Sequence, residues 1–319
     1  MVFADEAELK RRVSELTGRE IIGRPRITSD TTDYMSIAGG MILRLEGRDY
    51  FVRGDATEGR FGIDDQPKFW VKYVIDLETG ARKILKLVFH EAFSTRVGPF
   101  LIRAHRSPEK ESRLLELVKG RPDFMQGRTI RDQAGNPVRV VDFVRGPSLY
   151  RHLMELELDH ETYFHQRLPS ILRQILAAYQ AMTFLLDQGQ QHGDIRSDHL
   201  IIEAGSGRFV WIDYDYQVSH GDYDIWCLGN VLTFVVGKGS HTLHDVARRP
   251  GDYPGLGRGP RPVPEDCLIA NSNRVADLGK LFPYVPARLN RILVNFSLGT
   301  RYFYEDIHVL LDHLGEALA

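Results

Sequence analysis

Cysteine is nearly absent: Cys227 and Cys267 are the only two in 319 residues. Two thiols cannot build a disulfide framework or a four-cysteine zinc site, and such scarcity suits a reducing cytosol. No apolar run approaches the roughly 18 residues that a bilayer crossing needs. An excess of either charge is lacking too. Lys and Arg number 41 and Asp and Glu 43, for a net charge of −2. That balance excludes a globally basic nucleic-acid binder and an acidic tail protein. The opening MVFADEAELKRR is too charged for a secretory signal. What is present is a 43% hydrophobic content, over a length that suits about two domains. The expectation is a cytoplasmic chain of mixed α and β structure, with no transmembrane segment and no nucleic-acid partner.

Organisation follows from periodicity. Leu9, Val13 and Leu16 mark an amphipathic helix over 4–17, which Gly18 can stop. Residues 18–40 are turn-rich, and 1–47 together read as an N-terminal extension laid over the next lobe. From 41 to about 90 come β-type runs, MILRL, DYFVR, FWVKYVI and KILKLVF, the last two joined by the hairpin signal DLETG. Ser107-Pro108 opens a helix over about 108–119, and GNPVRVVDFV is a later strand. Beyond 147 the chain turns helical, with two short strands, HLIIE and FVWID, and a Pro/Gly-rich loop at 249–265. Strands first and helices later predict an α+β chain with a β-rich lobe at 48–143 and a helical lobe at 144–319.

Chemistry concentrates in a few strings. His192-Gly193-Asp194-Ile195-Arg196-Ser197-Asp198-His199 lies between a long helix and a strand, and Ile212-Asp213-Tyr214-Asp215 ends the next strand. Lys86 lies six residues after Gly80 on the outgoing hairpin strand, and Glu111 begins an E-x-x-x-L-x-x-V pattern in the next helix. VVDFVRGPSLYRHL follows at 140–153, and DIWCLG at 224–229. In that order these strings resemble the protein-kinase-like superfamily, as an atypical bacterial-type member with a short activation segment. The resemblance covers about 86–237 and implies a bilobal fold with ATP between the lobes.

The resemblance implies a role for each residue. Asp194 would be the catalytic base and Asp213 a metal ligand, while Lys86 would contact the α/β-phosphates and pair with Glu111. Lys83 is the alternative lysine, and Glu109 and Glu116 compete with Glu111. Asp142 and Val144 would present backbone groups to adenine. Gly59 and Gly62, in a turn at 54–62, would cover the phosphates, although the spacing places the family glycine nearer Phe69 and makes GIDDQPKF an insertion. Asp224 would buttress the catalytic loop.

Three departures qualify the resemblance. Only 11 positions separate Asp213 from Asp224, too few for a phosphorylatable loop and a peptide platform. IDYD replaces DFG. His199 stands where the family has a metal-binding asparagine, and imidazole suits Mn²⁺ better than Mg²⁺. Adjacent Asp198 could substitute. Arg196 could neutralise charge on the transferring phosphoryl group, or simply pair with Asp198. His241 and His244 have helical spacing but no third ligand, so they read as solvated.

The reading is an ATP-dependent serine/threonine-kinase-like transferase using Mg²⁺ or Mn²⁺, with a protein hydroxyl as acceptor. The alternatives are a small-molecule, sugar or lipid-core kinase, a pseudokinase acting as a nucleotide-binding scaffold, and AMP transfer.

Overall fold

The computed structural model describes residue 3, residues 5–60 and residues 63–319, with the backbone alone at 58–60 and 63–65. Strands dominate the first part and helices the second. The chain divides into two compact units: Met1–Glu91 with Arg106–Val144, and Ala92–His105 with Arg145–Ala319.

The first unit opens with α1 (Glu6–Thr17), capped by the Asp5 side chain and closed by Gly18 in the left-handed conformation. Strands β1 (Ile27–Thr28), β2 (Ile42–Leu45), β3 (Arg48–Arg60), β4 (Ile63–Asp76) and β5 (Arg82–Lys86) follow. After an excursion, β6 (Ala92–Val97) and β7 (Phe100–Arg106), come α2 (Pro108–Leu117), β8 (Gly127–Arg131) and β9 (Pro137–Asp142). One sheet runs β1-β2-β3-β4-β5-β9-β8. The 1–47 extension is therefore built into the sheet, since β1 and β2 are two of its strands. Leu9 and Val13 of α1 pack on Ile42, Phe51 and Leu77. Arg12 ties the helix down by donating to the carbonyls of Leu77 and Glu78 at 2.8 and 3.1 Å. Gly80, at φ +74, makes the β4–β5 turn. Alternation along the strands sends Val52, Val74, Leu85 and Val140 into one buried cluster.

Residues 92–105 depart from the lobe division drawn from sequence. They form the β6–β7 hairpin and belong to the second unit, where β7 joins β12 (Tyr216–Val218) in a sheet ordered β12-β7-β6.

The second unit holds α3 (Leu149–Met154), α4 (His160–Gln166) and α5 (Leu168–Leu186). It continues with β10 (Leu200–Ile202) and β11 (Phe209–Trp211), then β12 and α6 (Tyr223–Val236). Then come α7 (Leu243–Arg248), β13 (Cys267–Leu268), β14 (Asn271–Val275), α8 (Ala287–Val294) and α9 (Ile307–Leu318). The sequence of α6 is apolar all round, and the helix is buried on nearly every side. Tyr163 and Tyr179 anchor α4 and α5 to it through hydroxyls donated to the Val235 and Leu228 carbonyls, at 2.7 and 2.5 Å. Gly229 is required for contact: a Cβ there would lie 2.3 Å from the Phe296 ring. No helix among the described residues is long and apolar enough to cross a membrane.

His241 is half-buried rather than solvated, with Nε2 donating to the Gly237 carbonyl at 2.7 Å. Beside it His160 stacks on Phe282 with centroids 3.6 Å apart, donates to the Val236 carbonyl at 3.0 Å and accepts from the Tyr284 hydroxyl at 2.7 Å. That set satisfies the neutral ring, and burial lowers the His160 pKa to about 4. The unfolded imidazole protonates near 6.5, so the unfolded state binds the extra proton and stability falls as pH drops from about 6.5 toward 4. The expected loss between pH 7 and pH 5 is roughly 2 kcal/mol. Denaturant unfolding of the wild type and His160→Gln at both pH values checks it. The pH-dependent difference should shrink in the variant.

Candidate active site

The first half of the set lies in the first unit. Lys86 ends β5 with its side chain buried, and its ammonium lies 2.5 Å from a carboxylate oxygen of Glu111. Ser107 caps α2 and Pro108 starts it, which fixes the helix phase that turns Glu111 inward. The competing acids do not meet this lysine. Glu116 is exposed beside Lys119, and Glu109 is exposed beside Ser107. Lys83 lies on the opposite face of β5 and pairs with Asp142 across the ladder. Another buried lysine, Lys72, is held by Asp55 at 2.6 Å and the Ile37 carbonyl at 2.5 Å.

One partner escaped the sequence reading. Arg139, in β9, is buried and lies 3.2 Å from the second oxygen of Glu111, while also donating to the Leu87 carbonyl. Its signal was a charge inside the apolar run PVRVV. Glu111 thus answers two cations.

The covering turn is a correction. Residues 54–60 are strand, and GIDDQPKF is mostly the start of β4. Gly59 lies far along β3, and Gly62 lies outside the described residues. The register places Asp55 opposite Lys72 and Ala56 opposite Lys68, so the 69–71 bulge beside Lys86 faces that part of β3. Asp142 ends β9 and Val144 follows it in a loop. Next to them a cavity of about 350 Å³ is lined by Arg53, Gly54, Tyr73, Arg82 and Phe143. Tyr73 meets Phe143 edge to face at 6.1 Å, and Arg82 lies over the Phe143 ring at 4.8 Å.

The second half lies in the second unit. Strands β10 and β11 pair with Leu200 opposite Trp211. His199 therefore enters the ribbon where Ile212 and Asp213 leave it, and the Ile212 N–H donates to the His199 carbonyl at 3.0 Å. His199 is buried and donates Nδ1–H to the Asp194 carbonyl at 2.9 Å, with an Asp194 carboxylate oxygen at 3.5 Å. Its Nε2 lies 3.6 Å from a carboxylate oxygen of Asp213. One imidazole thus links the two acids. Asp213 has φ 63, a left-handed conformation that Asp tolerates better than most residues. Asp224, buried at the start of α6, accepts from the N–H groups of His192 and Gly193 at 2.6 and 2.9 Å and fixes the loop carrying Asp194. Burial raises the Asp194 pKa, with Asp215 and Asp213 adding to the rise and His199 and Arg196 opposing it.

Arg196 is paired with Asp198, its Nε 2.9 Å from one carboxylate oxygen and its Nη2 against the other. Burial pushes the Asp198 pKa up, but hydrogen bonding to Arg196 and the nearby His199 and Arg196 charges together hold it at about 2. Asp198 is thereby committed to Arg196. Among the described residues no cluster of three or more His, Cys, Asp or Glu is arranged to hold a metal ion. The donors facing one another are Asp213 and His199. With Nδ1–H spent on a carbonyl, Nε2 is the ring nitrogen that faces Asp213. The nearest donor atoms of the two residues lie 3.6 Å apart. No family model and no curated protein matches this chain.

Proposed function

We propose that the chain is an ATP-dependent phosphotransferase of the protein-kinase-like fold, acting on a protein serine or threonine hydroxyl. The observation that carries this reading is the buried Lys86–Glu111 pair. Phosphoryl transfer of this type uses a strand lysine held by a helix glutamate, and this pair forms while nearer alternatives on both elements do not. In this reading Lys86 neutralises phosphate oxygens, and the cavity beside Phe143 takes the aromatic base. Asp194, fixed by Asp224, orients the acceptor hydroxyl and takes its proton. Asp213 and His199 would hold a divalent cation, which supplies positive charge to the phosphates when bound. Arg196, engaged by Asp198, acts through the conformation of the 196–199 turn.

Incubation with ATP and either Mg²⁺ or Mn²⁺, followed by intact mass measurement of the chain and of added protein acceptors, tests the proposal. Phosphate gain is the expected result. A nucleotide-dependent thermal shift without transfer would instead establish a nucleotide-binding scaffold, the reading that a histidine at position 199 favours. Transfer confined to small hydroxyl compounds would move the acceptor class.

The histidine makes a further prediction. A nitrogen donor suits Mn²⁺ better than Mg²⁺, so the wild type should turn over faster with Mn²⁺, and His199→Asn should shift the preference toward Mg²⁺. Rates of both proteins in both metals check it. A wild type that prefers Mg²⁺ removes His199 from the ligand set.

A further inference from the structure

We infer that the free edge of β6 is a strand-addition site for an extended acidic segment of the acceptor protein. The inference rests on the phosphotransferase reading for the word acceptor, but the docking stands on the hairpin itself.

The hairpin turns at Gly98-Pro99, with Gly98 at φ +55. Arg106 donates its N–H to the Glu91 carbonyl at 2.8 Å. Alternation from that bonded pair makes 93, 95 and 97 the residues that exchange hydrogen bonds with β7. The N–H and C=O groups of Ala92, Ser94 and Arg96 therefore point away from β7. On β7 the same alternation turns Arg103 toward β12, where it donates to Ser219 Oγ and accepts from Ser219 N–H, both at 3.0 Å. In the order β12-β7-β6 the last strand has one neighbour. Its outward groups form a template for another chain.

The two faces of the hairpin differ. Val97, Ile102 and Ala104 are buried with Tyr216, Val218 and Trp226. The opposite face carries Arg96, Leu101, Arg103 and His105, all exposed. Arg96 and Arg103 are diagonal neighbours and make no ion pair among the described residues. From Ala92 to Pro108 the sequence has no Asp or Glu. A strand added to β6 would lay alternate side chains along these cations, which selects carboxylates. A neutral or basic strand would gain the same main-chain bonds without that attraction.

Position supports an acceptor rather than an unrelated partner. β12 begins three residues after Asp213. An added strand would lie about 14 Å from β12, at roughly 4.8 Å per strand, and an extended chain advances about 3.3 Å per residue. A hydroxyl a few residues along the same segment can therefore reach Asp194.

The test uses the full chain and a fluorescent peptide of alternating glutamate and threonine with one serine, read by anisotropy without nucleotide. The same peptide with lysine for glutamate is the control. The acidic peptide should bind, and both Ser94→Pro and Arg96→Glu/Arg103→Glu should weaken it by about tenfold or more. Ser94→Pro removes an outward N–H and leaves the β6–β7 bonds intact. Circular dichroism and the denaturant midpoint report on folding. Equal binding of the lysine peptide, or binding indifferent to both variants, overturns the inference. Loss in the charge variant with full retention in Ser94→Pro also overturns it, because the ligand is then a general anion such as a membrane surface. Binding at β6 without phosphate transfer upholds the docking and rejects the phosphotransferase reading. Transfer to acidic acceptors with a KM unchanged in both variants does the reverse.

Discussion

Asp194→Asn should lower the rate of phosphoryl transfer by roughly 10³, within the range that a positioned general base supplies. The affinity for nucleotide should stay within about twofold, since in the proposed mechanism the carboxylate acts on the acceptor hydroxyl rather than on ATP. The geometry explains why the effect should be clean. The loop carrying Asp194 is fixed by the Asp224 carboxylate through the N–H groups of His192 and Gly193, and by His199 through the Asp194 main-chain carbonyl. None of these contacts needs the Asp194 carboxylate, so the amide should leave the loop in place. Burial raises the pKa of the acid. The acid limb of the wild-type rate profile should therefore lie above the roughly 3.9 of an exposed aspartate. Initial rates against pH, with calorimetric nucleotide binding for both proteins, provide the check. A variant that transfers phosphate at the wild-type rate would remove Asp194 from the chemistry.

The legibility of this site follows the range of the interactions that build it. Lys86 and Glu111 could be proposed from sequence because local signals fixed their elements. Gly80 set the phase of the β4–β5 hairpin, and Ser107-Pro108 set the phase of α2. The sequence favoured Lys86 with Glu111 over Lys83, Glu109 and Glu116, and whether they meet depends on how β5 and α2 face one another. Arg196 shows the same limit. Its two roles were equally compatible with the spacing, and the turn geometry at 197–199 brings it onto Asp198. The β6–β7 hairpin was missed although FSTRV-GP-FLIRA alternates around a two-residue turn. Its partner β12 has three residues, too short to carry a periodic signal of its own. Arg139 and Lys72 were missed because a charge inside a strand reads as solvent-facing unless its counter-charge, here Glu111 or Asp55, is known.

Glu111→Gln should be the most destabilising single change at this site, because of the two cations it leaves behind. Glu111 is fully buried, with Lys86 on one oxygen and Arg139 on the other. An amide offers an acceptor oxygen but no charge, so Lys86 and Arg139 would both lose this counter-charge. Removing one partner of a buried ion pair costs about 3–5 kcal/mol, since the charge left behind has lost its water and its counter-ion. Lys86→Met should cost less, because Glu111 keeps Arg139 and the methionine replaces most of the buried lysine stem. Both substitutions should suppress transfer. Stability is therefore the readout that separates them, measured as the denaturant midpoint at pH 7. The double variant Lys86→Met/Glu111→Gln should recover part of the loss, because only Arg139 then lacks a counter-charge. That recovery is the coupling between the pair, obtained from the four proteins as a double-mutant cycle. If Glu111→Gln proves no more destabilising than Lys86→Met, Arg139 does not share the carboxylate. Lys86 could then leave for a phosphate only at the cost of an unpaired buried acid, and the assigned division of labour between the two cations would fail.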